Sequence, residues 1–552
     1  MKAKKFLAFA LTLVTLLACF SGCSGSNGEQ ANENPSNSGA SSTIPSSAVP
    51  VAPADTNTEE WENSVVKVGL SVDPAIFGPY QTTNKGRKET LLEIYETLAM
   101  VQGVGGELKG VMAKDWYPAE GEENAYIVEL YDYIFDTNGN QITADDVIFS
   151  YTDAGADDFR RYLVYMDSIE KIDDFKLKIT MNSTTVGAFD NLISRVYVID
   201  EDSFKADPTG MTSNPVGTGP YKLIEYVEGS KVVLQAKDDY WQTDESKLCQ
   251  NQYRNVKTIE FLIIPEAAQQ SIALETGTVD VINGMRAATV ESFKSKDGFT
   301  VSSVTGNNCR TIFFNCNEAS VCNDLAVRQA ILYAIDNQGL LDGTLDGAGE
   351  VAFCFGNSSY SDVYEEWNDG DYYAYNPEKA KELLKEAGYE NGVTVRLLTF
   401  TGELESNIAN IIYAYLDQVG IKLEIYQYEE ALVKTYMRDF SYFDMLLPQR
   451  AAATNYVVSA WYEKLSNNTY DDGINYCGFE DPEFQKLLDA ANDVNTHNKE
   501  TVTALYEEMT ENAYAYGMFT ELNYTVYNSN MVAPCLDLDY WMVPGCCTYA
   551  WN

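Results

Sequence analysis

One histidine, His497, stands in a chain of 552 residues that also carries 82 acidic side chains, 38 lysines and arginines, and 11 cysteines. Histidine-dependent chemistry therefore has a single place to go. A Ser-His-Asp or Cys-His nucleophile would have to centre on His497, which lies in a polar segment between two helical patterns. A zinc site of the H-E-x-x-H kind needs two histidines and is excluded. No G-x-S-x-G and no P-loop occurs. Beyond Cys19 and Cys23 the cysteines lie at 249, 309, 316, 322, 354, 477, 535, 546 and 547. Their spacings match no metal pattern, and an odd number cannot all pair internally. They read as buried thiols packing as small apolar groups, although Cys316 and Cys322 are close enough in sequence to close a short loop. Carboxylates are so numerous that chance pairs are expected, and an acid pair of the glycosidase kind is not excluded by counting.

The run "NPVGTGPYKLIEYVEGSKVVL" (214–234) places Gly217, Thr218, Gly219 and Pro220 together. Glycine admits backbone angles that other residues avoid, and proline fixes one, so the run predicts a tight turn. A phosphate loop would need a lysine after the second glycine and then a helix. Two alternating stretches follow instead, "YKLIEYV" and "SKVVLQA", joined at Glu228-Gly229, and they predict a hairpin.

The elements around these residues are read from punctuation and periodicity. "MKAKKFLAFALTLVTLLACFSGCSGS" opens with lysines and an apolar run, the pattern of a secretory signal over 1–22. "LLAC" and "FSGC" both resemble a bacterial lipobox, which makes Cys19 or Cys23 the acylated residue and the membrane a partner through that lipid. Residues 23–60 are rich in Ser, Asn, Pro and Ala and predict a disordered tether. The formal charge of −44 repels phosphate backbones, so nucleic acid is not an expected partner.

In the body, "VVKVGL" (65–70) predicts a strand and 88–100 a helical stripe. Thr143 and Asp146 form a capping box at the start of another helix. "IEFLII", a helix over 266–276 stopped by Gly277, and "VDVI" form a strand-helix-strand unit. "RTIFFNCN" predicts a strand, and "NDLAVRQAILYAIDNQGLL" one helix capped at Asn323 or Asp324. Asn376 and Pro377 start a helix that Gly388 stops, and Gly420 stops the next one before "IKLEIYQY". Late helices follow in "DPEFQKLLDAAND" and "ETVTALYEEMTENAYAYG". Alternating helices and strands argue for α/β lobes around a mainly parallel sheet.

Several of these stretches, taken in order, resemble the extracellular solute-binding proteins of ABC importers, the family typified by oligopeptide- and dipeptide-binding proteins. They are "ITADDVIFSY", "PVGTGPYKLIEYVEGSKVVLQAKDDYW", "LETGTVDVI", "NDLAVRQAILYAIDNQGLL", "YNPEKAKELLKEAGY" and "FEDPEFQKLLDAAND", spread from about Val65 to Val532. The resemblance implies a bilobal α/β fold of the periplasmic-binding-protein kind, class II, in its large three-domain form. Lobe I would comprise 61–81, 206–310 and 521–552, an inserted subdomain 82–205, and lobe II 311–520. Two segments near 305–317 and 515–525 would cross between lobes. A solute, by default a peptide, would be held in the gap, without catalysis or cofactor, and handed by a monomer to a permease and its ATPase outside the cytoplasm.

The resemblance also implies site residues. The loop "IFGPYQ" is similar to the family's cleft-lining loop and nominates Phe77, Gly78, Pro79 and Tyr80. Peptide binders of the family hold the ligand's ammonium with an aspartate in the closing lobe. The corresponding stretch here is "YFDMLLPQRAAATNYVV" (442–458). Asp444 matches the family's "F-D" aspartate, but Arg450 stands where an aromatic is expected, and 451–455 contain no carboxylate. Either another acid substitutes, or the ligand has no free ammonium there. Thr454, Asn455 and Tyr456 are the neighbouring candidates. Arg310, Arg438 and Arg450 could each pair with a ligand anion or form a surface salt bridge in so acidic a chain. The 38 tyrosines suit core packing or sugar stacking. An oligosaccharide or anionic solute, a surface sensor without transport, and a secreted hydrolase are the competing readings. Nickel and haem, which other relatives handle, are disfavoured by the lack of histidine near the expected gap.

Overall fold

The computed structural model describes residues 54–80, 85–103, 106–154, 159–356, 360–368, 372–448, 456–467, 475–537 and 539–550. The signal, the two lipobox cysteines and most of the tether lie outside them. Residues 54–60, expected in the tether, belong instead to the folded body. The Ala54 amide donates to Asn255 Oδ1 at 2.8 Å, and Thr58 caps a helical turn that seats the buried Trp61.

In chain order the strands that position the site are β1 (Val65–Leu70), β2 (Ala113–Pro118), β3 (Ala125–Leu130), β4 (Met166–Asp173) and β5 (Lys176–Met181). Next come β6 (Tyr221–Val227), β7 (Lys231–Ala236), β8 (Thr258–Ile263), β9 (Val281–Asn283) and β10 (Phe299–Phe314). The last are β11 (Gly349–Val351), β12 (Val393–Phe400), β13 (Ile421–Tyr428), β14 (Met445–Leu447) and β15 (Ala515–Asn528). Strands β2 to β5 form a separate four-stranded antiparallel sheet, ordered β2-β3-β5-β4. The others form one eleven-stranded sheet, ordered β6-β7-β8-β1-β9-β15-β10-β14-β12-β13, with β11 on β15.

That sheet is mixed rather than mainly parallel. The pairs around β1 and around β12 are parallel, as helical crossovers require. The hairpin β6-β7 and the long central pair β10-β15 are antiparallel. Local sequence accounts for much of the rest. In β7 and β8, buried residues alternate with half-buried ones, the mark of strands with one face on the core. The helix Pro377–Glu386 has proline at its start, and Asn376 Oδ1 accepts from the Lys379 amide at 2.9 Å.

Three expected helices are shorter than their patterns. The stripe over 88–100 is helical only in Lys85–Ile94, after which the chain turns extended. The Ile94 carbonyl accepts from the Gly219 amide at 2.9 Å, and buried Glu96 accepts from Tyr240 Oη, Trp241 Nε1 and Gln252 Nε2. The helix from Leu325 ends at Ala334, and Asp336 starts a second one by accepting from the Gly339 amide at 3.0 Å. The helix Lys499–Glu511 stops before "AYAYG", which opens β15.

The glycine-proline run is packing machinery. A Cβ on Gly217 would meet the Ile94 carbonyl oxygen at 2.2 Å, and one on Gly219 would meet Ile94 backbone carbon at 2.6 Å. The Gly217 carbonyl accepts from the buried Lys237 ammonium at 2.7 Å. The nine body cysteines, Cys316 and Cys322 included, are free thiols, and all but half-buried Cys316 are buried. Because backbone cannot yield at Gly219, Gly219→Ala should lower stability by about 2–3 kcal/mol in urea unfolding. A loss below about 0.5 kcal/mol would mean the turn is not clamped to the helix end.

Candidate functional site

The eleven-stranded sheet has two ends, each with its own apolar core. One core gathers β1, β6 to β8 and the separate four-stranded sheet, with residues such as Val68, Phe261, Val128 and Ile179. The other end packs residues such as Leu397, Leu423 and Met445 in one cluster and Leu398, Leu446 and Trp461 in a second. These two ends are the lobes. Strands β10 and β15 cross from one to the other: β15 pairs with β9 in the first lobe, and β10 with β14 in the second.

The crossing pair is irregular midway. Its register shifts between Thr305 and Cys309 and again between Arg310 and Thr311. Such bulges bend and twist a ribbon, which makes this the natural flexing point. Arg310 sits at the bend with its side chain largely buried. Its guanidinium donates to Glu521 at 2.8 Å through Nε and pairs with Glu405 at 3.2 Å. A ligand anion would have to displace these carboxylates to reach it.

Away from the crossing strands the lobes touch a second time. The segment after β5 meets the end of the helix Pro482–Asn492. The Val186 amide donates to the Asn492 carbonyl and the Val494 amide to the Thr184 carbonyl, both at 2.7 Å. Thr184 Oγ1 adds a bond to Asp493 at 2.9 Å. The Val186 side chain is buried in the second lobe's cluster. Gly187 follows in a left-handed conformation, φ 74°, and a Cβ there would meet the Tyr456 ring at 2.7 Å. Tyr456 is held in turn by its own lobe. Asp362 accepts from the Val457 and Val458 amides at 2.6 and 3.1 Å, and His497 lies edge-on to the Tyr456 ring, centroids 5.3 Å apart. Burial outweighs those bonds and pushes the Asp362 carboxyl up to about 6.

Beside this contact lies a cavity of about 250 Å³, lined by Trp116, Tyr126, Phe189 and Asp190 from the first lobe and by Tyr456 from the second. Tyr126 and Phe189 stack with centroids 3.9 Å apart. Burial raises the Asp190 carboxyl above its ordinary value. Tyr126 and Tyr456 are both raised, by burial first and then by the Asp190 charge.

Tyr456 lines the cavity. Arg450, Thr454 and Asn455 lie outside the described residues. Arg438 is exposed just past the helix Glu430–Tyr436. Phe77, Gly78 and Pro79 are buried in the first lobe: Phe77 packs edge-on against Tyr226, and the Gly78 carbonyl accepts from Arg87. Half-buried Tyr80 donates to the Tyr197 carbonyl at 2.6 Å. Asp444 is a scaffold residue. Burial opposes its charge, but three bonds from Arg396 and one from Ser320 prevail and hold its carboxyl below the usual range. Gly187 and Asp190, in "TTVGAFD", carried no motif; only the contact between lobes reveals them.

Two α/β lobes joined by a pair of crossing strands, with a cavity at their boundary, define a hinged binding protein. A family model described as bacterial extracellular solute-binding proteins, family 5 Middle, matches residues 107–472, and the chain belongs to this family. It is 24% identical over 562 residues to the oligopeptide-binding protein AppA of Bacillus subtilis, covering 97% of this chain and 96% of that one. It is 27% identical over 323 residues to heme-binding protein A of Haemophilus influenzae, covering 53% of this chain and 56% of that protein. The solved structure of HbpA2 from Haemophilus parasuis shares the fold, with a TM-score of 0.78 at 20% identity over 88% of this chain and 99% of that one.

Gly187→Ala puts a left-handed backbone strain of about 1–2 kcal/mol and a clash with Tyr456 at the boundary. Hydrogen exchange at the Val186 and Val494 amides should speed up about tenfold or more, while β3 and β5 exchange as before. Unchanged exchange at both amides would show that Gly187 does not hold the lobes together.

Proposed function

We propose that the chain is the capture component of an ABC importer: it takes a peptide between its lobes and delivers it, unaltered, to a membrane permease driven by an ATPase. The observation that carries this reading is the crossing pair β10-β15, which joins two separately packed lobes through an irregular segment. Such a frame traps a solute when the shut form offers contacts to both faces that the open form lacks. The name of AppA specifies oligopeptides, and the similarity to it extends over almost the whole chain. The similarity to heme-binding protein A covers about half.

In this reading lobe I comprises 61–81, 206–310 and 521–552, the subdomain 82–205 is inserted into it, and 311–520 close over the ligand. The protein acts as a monomer and catalyses no reaction. A lipid on Cys19 or Cys23 holds it at the outer face of the membrane, and 24–53 serve as the tether. No helix among the described residues is long and apolar enough to cross a membrane. Arg438, Arg450, Thr454, Asn455, Tyr456 and Tyr80 are the proposed ligand contacts. The lack of a carboxylate over 450–455 favours, as the second reading, an oligosaccharide or anionic solute.

A thermal-shift screen of the purified protein against di- to pentapeptides and oligosaccharides tests the proposal. A ligand at about 100 times its Kd should raise the unfolding midpoint by about 3–6 °C. Mass spectrometry should recover that peptide intact. A shift with saccharides alone would replace peptide by sugar, and a cleaved ligand would make the protein an enzyme.

A further inference from the structure

The cavity beside Gly187 has a definite chemical character. Among the described residues, Asp190 is the only charged side chain lining it. No hydrogen bond or ion pair engages the Asp190 carboxylate among the described residues, and burial alone accounts for its raised pKa. Lys176 stacks on a lining ring, that of Tyr117, at 5.6 Å, but it is committed to Glu129 at 2.8 Å. The remaining walls include Trp116, Tyr126 and Tyr456. A half-buried carboxylate without a counter-charge is unfavourable, and aromatic faces attract cations. The chain as a whole carries a net charge of −44, which draws cations toward it.

We propose that this cavity receives an ammonium group of the captured solute, with Asp190 as its counter-charge and Trp116, Tyr126 and Tyr456 as its walls. The inference rests on the solute-receptor reading above and names the chemistry of the solute. Asp190 lies in the first turn of the helix Ala188–Arg195 in the first lobe, shortly after the Thr184–Val186 contact, whereas Tyr456 belongs to the second. An ammonium between them touches both lobes at once. Its binding therefore favours the shut form over the open one, which is the differential interaction that closure needs. The acid is supplied from across the gap, not from the stretch 450–455.

The ammonium could come from a peptide's N-terminus or from a small organic cation, and isothermal titration of two matched pairs separates them. One pair is trialanine and N-acetyl-trialanine; the other is choline and its neutral isostere 3,3-dimethylbutan-1-ol. The cationic member of one pair should bind at least about tenfold more tightly than its neutral partner. Asp190→Asn should erase that preference, and Asp190→Glu, which keeps the charge, should retain most of it. Unfolding midpoints of both variants establish that they fold. The pair that shows the preference identifies the source of the ammonium. Equal binding of both members in each pair, or a preference that survives Asp190→Asn, would overturn the inference. A neutral peptide that still binds tightly would leave the receptor reading standing. If neither pair binds and the broader screen also finds no ligand, that reading falls as well.

Discussion

Strands Phe299–Phe314 and Ala515–Asn528 lie side by side for most of their length, and the two lobes depend on that pairing. At one end the pair is extended by Val281–Asn283, at the other by Met445–Leu447, so a single sheet passes through both lobes. Backbone hydrogen bonds fix the lobes' connection while the register shifts near 305–311 leave it able to bend. Arg310, bound by Glu405 and Glu521, ties the bend to the second lobe's helix Glu403–Asp417. Ligand capture between the lobes depends on this arrangement, a continuous backbone ladder interrupted at one bend.

The second contact between lobes differs in kind. It is built from two backbone bonds, side-chain bonds from Thr184 to Asp493 and from Asn492 to Thr185, one buried valine and a tyrosine lying on a glycine. A contact this small can open without unfolding either lobe, since each retains its own core. It lies beside the aromatic cavity, to whose walls the second lobe contributes Tyr456 and Val494.

Legibility in the sequence followed the range of the interactions. The Asn376-Pro377 helix start, the hairpin at Glu228-Gly229 and the stop at Gly277 were readable because the deciding residues are neighbours in the chain. The helix end at Ile94 was not, because Gly219 and Tyr240 decide it from far along the sequence. The glycine-proline run reads as a turn from its residue types, but the reason for its glycines, the Ile94 backbone lying against them, is visible only in three dimensions. At the site, Tyr456 is legible through its place in the stretch 442–458. Asp190 and Gly187 had no local signal: an ordinary aspartate near a helix start becomes notable only once the rings of Trp116, Tyr126 and Tyr456 gather around it.

Small-angle X-ray scattering of the purified protein, with and without a ligand shown by titration to bind, tests lobe closure most directly. Capture between hinged lobes predicts a smaller radius of gyration in the bound sample than in the free one. An identical radius with the ligand fully bound would contradict closure and leave a rigid, two-lobed protein that binds its solute without moving.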